Sequence, residues 1–205
     1  MRTSLFAVMV NWNLKEDTIA CIHSLFATGV PRGQVIVVDS ASEDGSVEKL
    51  KATFGDAVQL IACKENVGFV GGINRGTAHA LQQGAEWVFI LNNDTIVEPA
   101  FIPALEEFSQ NHASYTLLGP LIYYQDVPDR IWYFADHRWF GSLLTTNRYK
   151  NRRDDGRLPA WERADYITGC AMLVRREVFE QIGFLDPAMF MYGEDVDFCW
   201  RAGQA

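Results

Sequence analysis

Short apolar runs alternate along this chain with longer segments whose apolar residues recur every three or four positions. The clearest run is Trp87 to Leu91, five consecutive apolar residues that pass straight into Asn92-Asn93-Asp94. A run that short, with no polar alternation, predicts a strand buried on both faces, as in parallel sheets. Similar runs at Leu5–Val10, Gln34–Val38 and Val58–Cys63 predict three earlier strands. Between them, Lys15–Ala27 carries Ile19, Ile22, Leu25 and Phe26 at helical spacing, with Glu16 and Asp17 in its first turn. Val47–Phe54 and a segment running from the Asn66–Gly72 turn through Leu81 predict two further helices.

Strand and helix in alternation, with short connections, predict an α/β fold: a mostly parallel, Rossmann-like central sheet with helices on both faces. Right-handed crossovers then bring the carboxyl ends of the strands to one edge. Asn11, Asp39 and Asp94 gather on that rim although they are far apart in sequence, and such rims are where open α/β sheets bind ligands. After Pro99 the pattern loosens. Phe101–Gln110 and Arg176–Ile182 read as helices, and Tyr115–Tyr124 is a long apolar segment. Tyr166–Val174 reads as a strand, and an amphipathic helix opens near Glu194. One domain is expected, regular in its alternation over 1–98 and looser over 99–205, with its last helix cut short at the C-terminus.

Composition narrows the function classes. The 205 residues are 48% apolar and 21% charged, ordinary for a globular chain, and the formal net charge is −8. An acidic balance argues against a nucleic-acid surface, which needs a basic face. Cys21, Cys63, Cys170 and Cys199 show no metal-ligand spacing, so zinc is not expected and a reduced cytoplasmic setting is. No apolar run approaches the roughly 20 residues of a membrane-spanning helix.

Several residues invite chemistry, each with a plainer reading beside it. Asp94 and its two Asn neighbours suit a hard divalent cation shared with phosphates, or simply form a turn. Asp39, ending a strand, is placed to hydrogen-bond a ribose or base, or to cap the next helix. The Gly68-Phe69-Val70-Gly71-Gly72 turn opens a helix whose amides could meet an anion, or it permits close helix–sheet packing. It matches neither the dinucleotide nor the triphosphate glycine motif, which disfavours both classes of site. Asp197 is set to pair with Arg201 at i,i+4. Asp195 instead shares a face with Phe198 and Cys199, and an inward carboxylate is a general-base candidate. The aromatic stretch Trp132–Phe140 reads as core or as a sugar-stacking surface. The Arg148–Arg157 loop reads as solvated, or as a contact for a lipid diphosphate or an anionic bilayer.

The order Val10-Asn11-Trp12-Asn13, Val37-Val38-Asp39-x-x-Ser42-x-Asp44-Gly45-Ser46, Glu65-Asn66-x-Gly68-Phe69, Leu91-Asn92-Asn93-Asp94, Gly169-x-x-Met172-Leu173-Val174-Arg175-Arg176 and Tyr192-Gly193-Glu194-Asp195-x-Asp197 resembles the family 2 glycosyltransferases. The likeness is greatest to the rhamnosyltransferase-like members. The resemblance spans nearly the whole chain. It implies a GT-A fold and a metal-dependent, inverting transferase of polysaccharide biosynthesis, one catalytic domain with a nucleotide-sugar-binding half over 1–98 and an acceptor-side half over 99–205. Its donor would be a dTDP-, UDP- or GDP-sugar, rhamnose among the sugars, its acceptor a saccharide or lipid-linked saccharide, and its metal Mg²⁺ or Mn²⁺. It further implies work in the cytoplasm at the inner face of the cell membrane, with peripheral membrane association. Carried over by position, Asp195 is the catalytic base with Glu194 beside it, and Asp94 is the metal ligand. Asn11, Asn13, Asp39, Asp44, Asn66, Asn74, Asn92 and Asn93 form the donor site. The chain departs from the family pattern in having Asn92 for the first metal-motif Asp and Ile73 before Asn74. A non-catalytic nucleotide-sugar-binding module and a sugar nucleotidyltransferase are the alternatives. The second usually opens with a glycine-rich loop after its first strand, where this chain has Asn11-Trp12-Asn13.

Overall fold

The computed structural model describes residues 4–138 and 145–205. Four parallel strands form its heart: β1 (Leu5–Asn11), β2 (Val35–Asp39), β3 (Gln59–Ala62) and β4 (Trp87–Leu91). They are joined by the helices α1 (Lys15–Ala27), α2 (Ser46–Phe54) and α3 (Gly68–Gln82). Beyond β4 come α4 (Phe101–Asn111) and the short strands β5 (Leu117–Leu118), β6 (Ile122–Tyr123), β7 (Ile131–Tyr133), β8 (His137–Arg138) and β9 (Thr145–Thr146). Strand β10 (Ala171–Arg175), α5 (Arg176–Ile182) and α6 (Glu194–Ala202) complete the chain.

The main sheet runs β3-β2-β1-β4-β10-β5. β10 lies antiparallel to both β4 and β5, so the sheet is mixed, with four strands parallel as the alternating pattern requires. All five residues of β4 are buried, and so are all five of β2, because apolar groups cover both faces. Side chains of Leu5, Ala7, Met9, Phe89 and Leu91 pack on one side with α1, α2 and α4. Phe6, Val8, Val88, Ile90, Met172 and Val174 pack on the other with α3, α5 and α6. Each fully buried Leu, Ile or Phe of these layers stabilises the fold by about 1.5–3 kcal/mol.

Chain direction across the sheet reverses at β1. The chain moves outward through β2 and β3 and then returns, by α3 on the opposite face, to place β4 on the other side of β1. A crevice opens where strand order reverses, at the carboxyl ends of β1 and β4. Helix α3 lies close against β1 because glycines face it. A Cβ at Gly72 would stand 2.4 Å from Val10 Cγ2, and one at Gly76 2.4 Å from Val8 Cγ1. The packing reading of the glycine turn therefore accounts for Gly72.

Two segments differ from the expected pattern. Tyr115–Tyr124 breaks into β5 and β6 at Gly119-Pro120, where proline can donate no ladder hydrogen bond. In Tyr166–Val174, only the part from Ala171 onward joins the sheet. Residues 166–170 leave the ladder and bend over the strand ends, with Ala171 N–H donating back to the Thr168 carbonyl. The charged loop before them pairs its arginines with carboxylates, Arg153 with Asp129 and Arg148 with Glu162, as a solvated loop would. No helix among the described residues is long and apolar enough to cross a membrane.

Candidate active site

At the reversal point lies a cavity of about 790 Å³. Val10 and Trp12 reach it from the end of β1, Ser40 from the end of β2, and Asn66 and Gly68 from the start of α3. Asn92, Asn93 and Asp94 follow β4. Trp132, Tyr166, Thr168, Gly169, Glu194 and Asp195 close the far side. Asp94 and Asp195 thus open onto one space. Asp94 also borders a second cavity of about 690 Å³, whose lining shares Asn92, Trp132 and Cys170 with the first.

The turn at Asn93-Asp94 has a braced base. Thr95 donates its hydroxyl hydrogen to the Asn92 carbonyl (2.8 Å), and Asn92 N–H donates to the Cys170 carbonyl (2.8 Å). Asn93 Nδ2 donates to Thr18 Oγ1 (2.8 Å), which fixes that carboxamide against α1. Asp94 is left exposed at the tip, so the turn reading and the ligand reading describe the same loop. Burial pushes the nearby Cys170 thiol up to about 12, so this neighbour stays uncharged.

Five of the expected donor-site residues make hydrogen bonds that hold neighbouring loops and helices together. Asn11 is fully buried. It donates to Asp39 Oδ2 (2.7 Å) and Ser42 Oγ (3.1 Å), and accepts from Thr18 Oγ1 (2.8 Å). Asp39, only 1% exposed, also accepts from the Ser42 N–H (2.9 Å). Asn13 accepts from the Glu43 N–H (2.8 Å), and its own N–H donates to Ser42 Oγ (2.9 Å), stitching the two loops together. Asp44 accepts from the N–H and hydroxyl of Ser46 at the start of α2, and the hydroxyl holds its carboxyl below the usual range. Asn74 pairs both carboxamide atoms with the Leu185 backbone (2.9 and 3.1 Å) and ties α3 to the turn before α6. None of these five side chains lines the cavity.

Asn66 does line it, with Ser40 beside it. The Asn66 Oδ1 accepts from Ser40 Oγ (3.0 Å) and from the Gly68 N–H (2.9 Å), while Ser40 Oγ accepts from the Val67 N–H (2.9 Å). Val70 N–H donates to the Phe190 carbonyl (3.4 Å). The Val67, Gly68 and Val70 amides are thereby taken by protein groups.

Tyr192 and Gly193 both have positive φ (71° and 91°), a sharp bend that delivers Glu194 and Asp195 as the first residues of α6. Asp195 Oδ2 accepts from the Tyr166 hydroxyl (2.7 Å) and from the Gly169 N–H (2.8 Å). Asp197, on the other side of the helix, pairs with Arg201 at 2.8 Å as its spacing predicts. Glu194 is 5% exposed, and its Oε2 is buried without a hydrogen-bond partner among the described residues. Burial first, and then the Asp195 carboxylate, raise its pKa.

The profile of the glycosyl transferase family 2 matches residues 6–183, which include every strand of the main sheet. The chain belongs to that family. It is 28% identical over 211 residues to the low-salt glycan biosynthesis hexosyltransferase Agl10 of Haloferax volcanii, covering 98% of this chain and 62% of that one. It is also 28% identical over 190 residues to N-acetylglucosaminyl-diphospho-decaprenol L-rhamnosyltransferase of Mycobacterium tuberculosis, covering 83% and 61%. The chain thus spans about three fifths of the length of these relatives. Among solved structures, Pyrobaculum calidifontis mannosyltransferase PcManGT with GDP-Man and Mn²⁺ superposes with a TM-score of 0.61 at 15% identity, covering 95% of this chain and 50% of that one. S. aureus TarS 1-349 with UDP gives 0.65 at 16%, covering 97% and 54%. These likenesses carry the fold, which is the expected GT-A type.

The aromatic stretch divides: Tyr133 is core, Trp132 lines both cavities, and Trp139 and Phe140 lie outside the described residues. Tyr166, Ser40 and Trp12 were not singled out from sequence as site residues. Trp12 stood inside a motif, between two asparagines that drew the attention. Nothing in the spacing of Tyr166 marks it, because its placement depends on the bend ahead of β10.

Proposed function

We propose that this chain is the catalytic part of an inverting glycosyltransferase. It would move a sugar, rhamnose among the candidates, from a nucleotide-sugar donor to a saccharide or lipid-linked acceptor in polysaccharide biosynthesis. The observation that carries the reading is that Asp94 and Asp195 line one cavity at the strand-order reversal. The relatives' names and the GDP-Man, UDP and Mn²⁺ bound in the structural neighbours support it. In this reading residues 1–98 supply the donor wall (Trp12, Ser40, Asn66, Asp94) and residues 99–205 the acceptor wall (Trp132, Tyr166, Gly169, Asp195).

Among the described residues no three acidic, His or Cys side chains cluster as a protein-only metal site. One exposed carboxylate at Asp94, with the Asn92 carboxamide beside it, fits a cation that takes most of its oxygen ligands from donor phosphates and water. Such a cation, Mg²⁺ or Mn²⁺, would offset charge on the leaving diphosphate. Trp12 offers a half-exposed ring at the donor end, and Asn66 fixes the loop beside it. Asp195 takes the proton of the acceptor hydroxyl while that oxygen bonds to the anomeric carbon and the bond to the diphosphate breaks on the opposite side. A single displacement of this kind inverts the anomeric centre. The lipid-linked acceptors named for some relatives fit work beside a membrane, with this chain held there peripherally.

Thermal-shift measurement of UDP-, GDP- and dTDP-sugars, each with and without Mn²⁺, tests the reading. At a hundredfold excess over Kd one donor should stabilise the fold by about 2.7 kcal/mol, or roughly 5–10 °C for a chain of this size. The shift should need Mn²⁺ and vanish in Asp94→Ala. No shift with any donor, or a shift that Asp94→Ala retains, would overturn it.

A further inference from the structure

We propose that Tyr166 is a positioning residue for the Asp195 base: together with the Gly169 N–H it saturates Oδ2 and leaves Oδ1 to take the acceptor proton. The inference rests on Asp195 acting as base, as proposed above, and goes on to say which of its oxygens reacts and what holds it in place.

Each oxygen of an ionised carboxylate offers about two lone-pair sites. At Asp195, Oδ2 accepts two hydrogen bonds, from Tyr166 Oη at 2.7 Å and Gly169 N at 2.8 Å. Among the described residues Oδ1 accepts one, from the Val196 N–H at 2.8 Å, which leaves one of its two sites for a ligand hydroxyl. Both Asp195 and Tyr166 line the cavity, the space that the acceptor enters in this reading.

Tyr166 is itself firmly held. Its ring meets Tyr133 edge-on, with centroids 6.2 Å apart and planes at 88°, and the Tyr133 hydroxyl donates to the Tyr166 backbone carbonyl. Burial, and then the Asp195 carboxylate beside it, push the Tyr166 pKa upward, so the phenol keeps its proton and donates it into the hydrogen bond. Cys199, the other thiol nearby, is raised to about 12 by burial and stays neutral. The terminal torsion of a carboxylate is broad and roughly two-fold. With the phenol gone, Oδ2 keeps the Gly169 N–H and Oδ1 the Val196 N–H, both backbone donors, and the carboxylate is held less firmly in one orientation. Reaction rates fall steeply when a reacting group is misplaced.

A double-mutant cycle tests the proposal, with turnover of UDP-glucose, GDP-mannose and dTDP-rhamnose measured in Mn²⁺ and the one the wild-type chain consumes fastest carried forward. Tyr166→Phe keeps the ring and removes only the hydroxyl, and a melting curve checks that its fold is intact. Its kcat should fall by about 10- to 100-fold, the rate equivalent of one hydrogen bond to a charged group. The donor KM should stay within about twofold. Asp195→Asn and the double variant should be equally slow, because Tyr166 acts through the carboxylate. Wild-type kcat in Tyr166→Phe overturns the proposal alone. So does a double variant slower than Asp195→Asn by the full Tyr166→Phe factor. A wild-type chain that consumes none of the three donors overturns the transferase reading and this proposal with it.

Discussion

Asn11 tests the proposed division of the rim into a part that holds the fold and a part that meets a ligand. Its side chain is fully buried and donates to Asp39 at 2.7 Å, and Asp39 is only 1% exposed. In Asn11→Ala the Asp39 carboxylate keeps the Ser42 N–H and loses its side-chain donor. A hydrogen bond to a charged group is worth about 1.5–3 kcal/mol. Thr18 retains the Leu14 carbonyl as acceptor, and Asn93 retains Thr18, so their losses add at most about 1 kcal/mol. The expected destabilisation is about 2–4 kcal/mol, or roughly 4–16 °C in Tm for a chain of this size. Urea denaturation read by tryptophan fluorescence measures it directly. Donor affinity, measured by calorimetry below the melting transition, should change little, since Asn11 does not line the cavity. A variant with wild-type stability and lost donor binding would refute the division and return Asn11 to the ligand.

Helix propensity alone favours Gly76→Ala by about 1 kcal/mol. Its Cβ would stand 2.4 Å from Val8 Cγ1, a fully buried and stiff β-branched side chain, and overpacking costs about 1–3 kcal/mol. Chemical denaturation should therefore show a net loss, and a gain would mean that α3 can lift off β1. Glu194 has a raised pKa in the fold, so the folded chain binds its proton more tightly than the unfolded one does. Stability should fall as pH rises above the ordinary carboxylate value of 4.5 and through the raised one. Melting curves of Glu194→Gln against wild type should then show an advantage for Gln that grows with pH above 4.5, whereas a constant difference would assign the orphaned oxygen no titration.

The four parallel strands, their order of appearance and the convergence of Asn11, Asp39 and Asp94 were legible because buried parallel strands leave uninterrupted apolar runs. What a side chain does after reaching the rim was less legible. Asp39 and Asp94 both end strands and look alike in sequence. Yet one is sealed beneath Asn11 and the other stands exposed at a turn, a difference set by the neighbouring loop rather than by either residue. The helical spacing gave the right partner to Asp197 and the right inward direction to Asp195. It could not give Tyr166, which reaches Asp195 only because residues 166–170 abandon the ladder that the apolar pattern assigned to them. Likewise the Val67 and Gly68 amides at the start of α3 are taken by Ser40 and Asn66, which meet each other across 26 positions of sequence.

The most direct measurement is turnover and donor binding in Asp195→Asn, a change that keeps the shape of the side chain and removes its basicity. General-base assistance is typically worth ~10²–10⁴ in rate. Turnover lower by at least a hundredfold, with donor Kd in Mn²⁺ within about twofold of wild type, is what a base facing a donor held by Asp94 requires. Turnover equal to wild type, or a loss explained entirely by weaker donor binding, would contradict it.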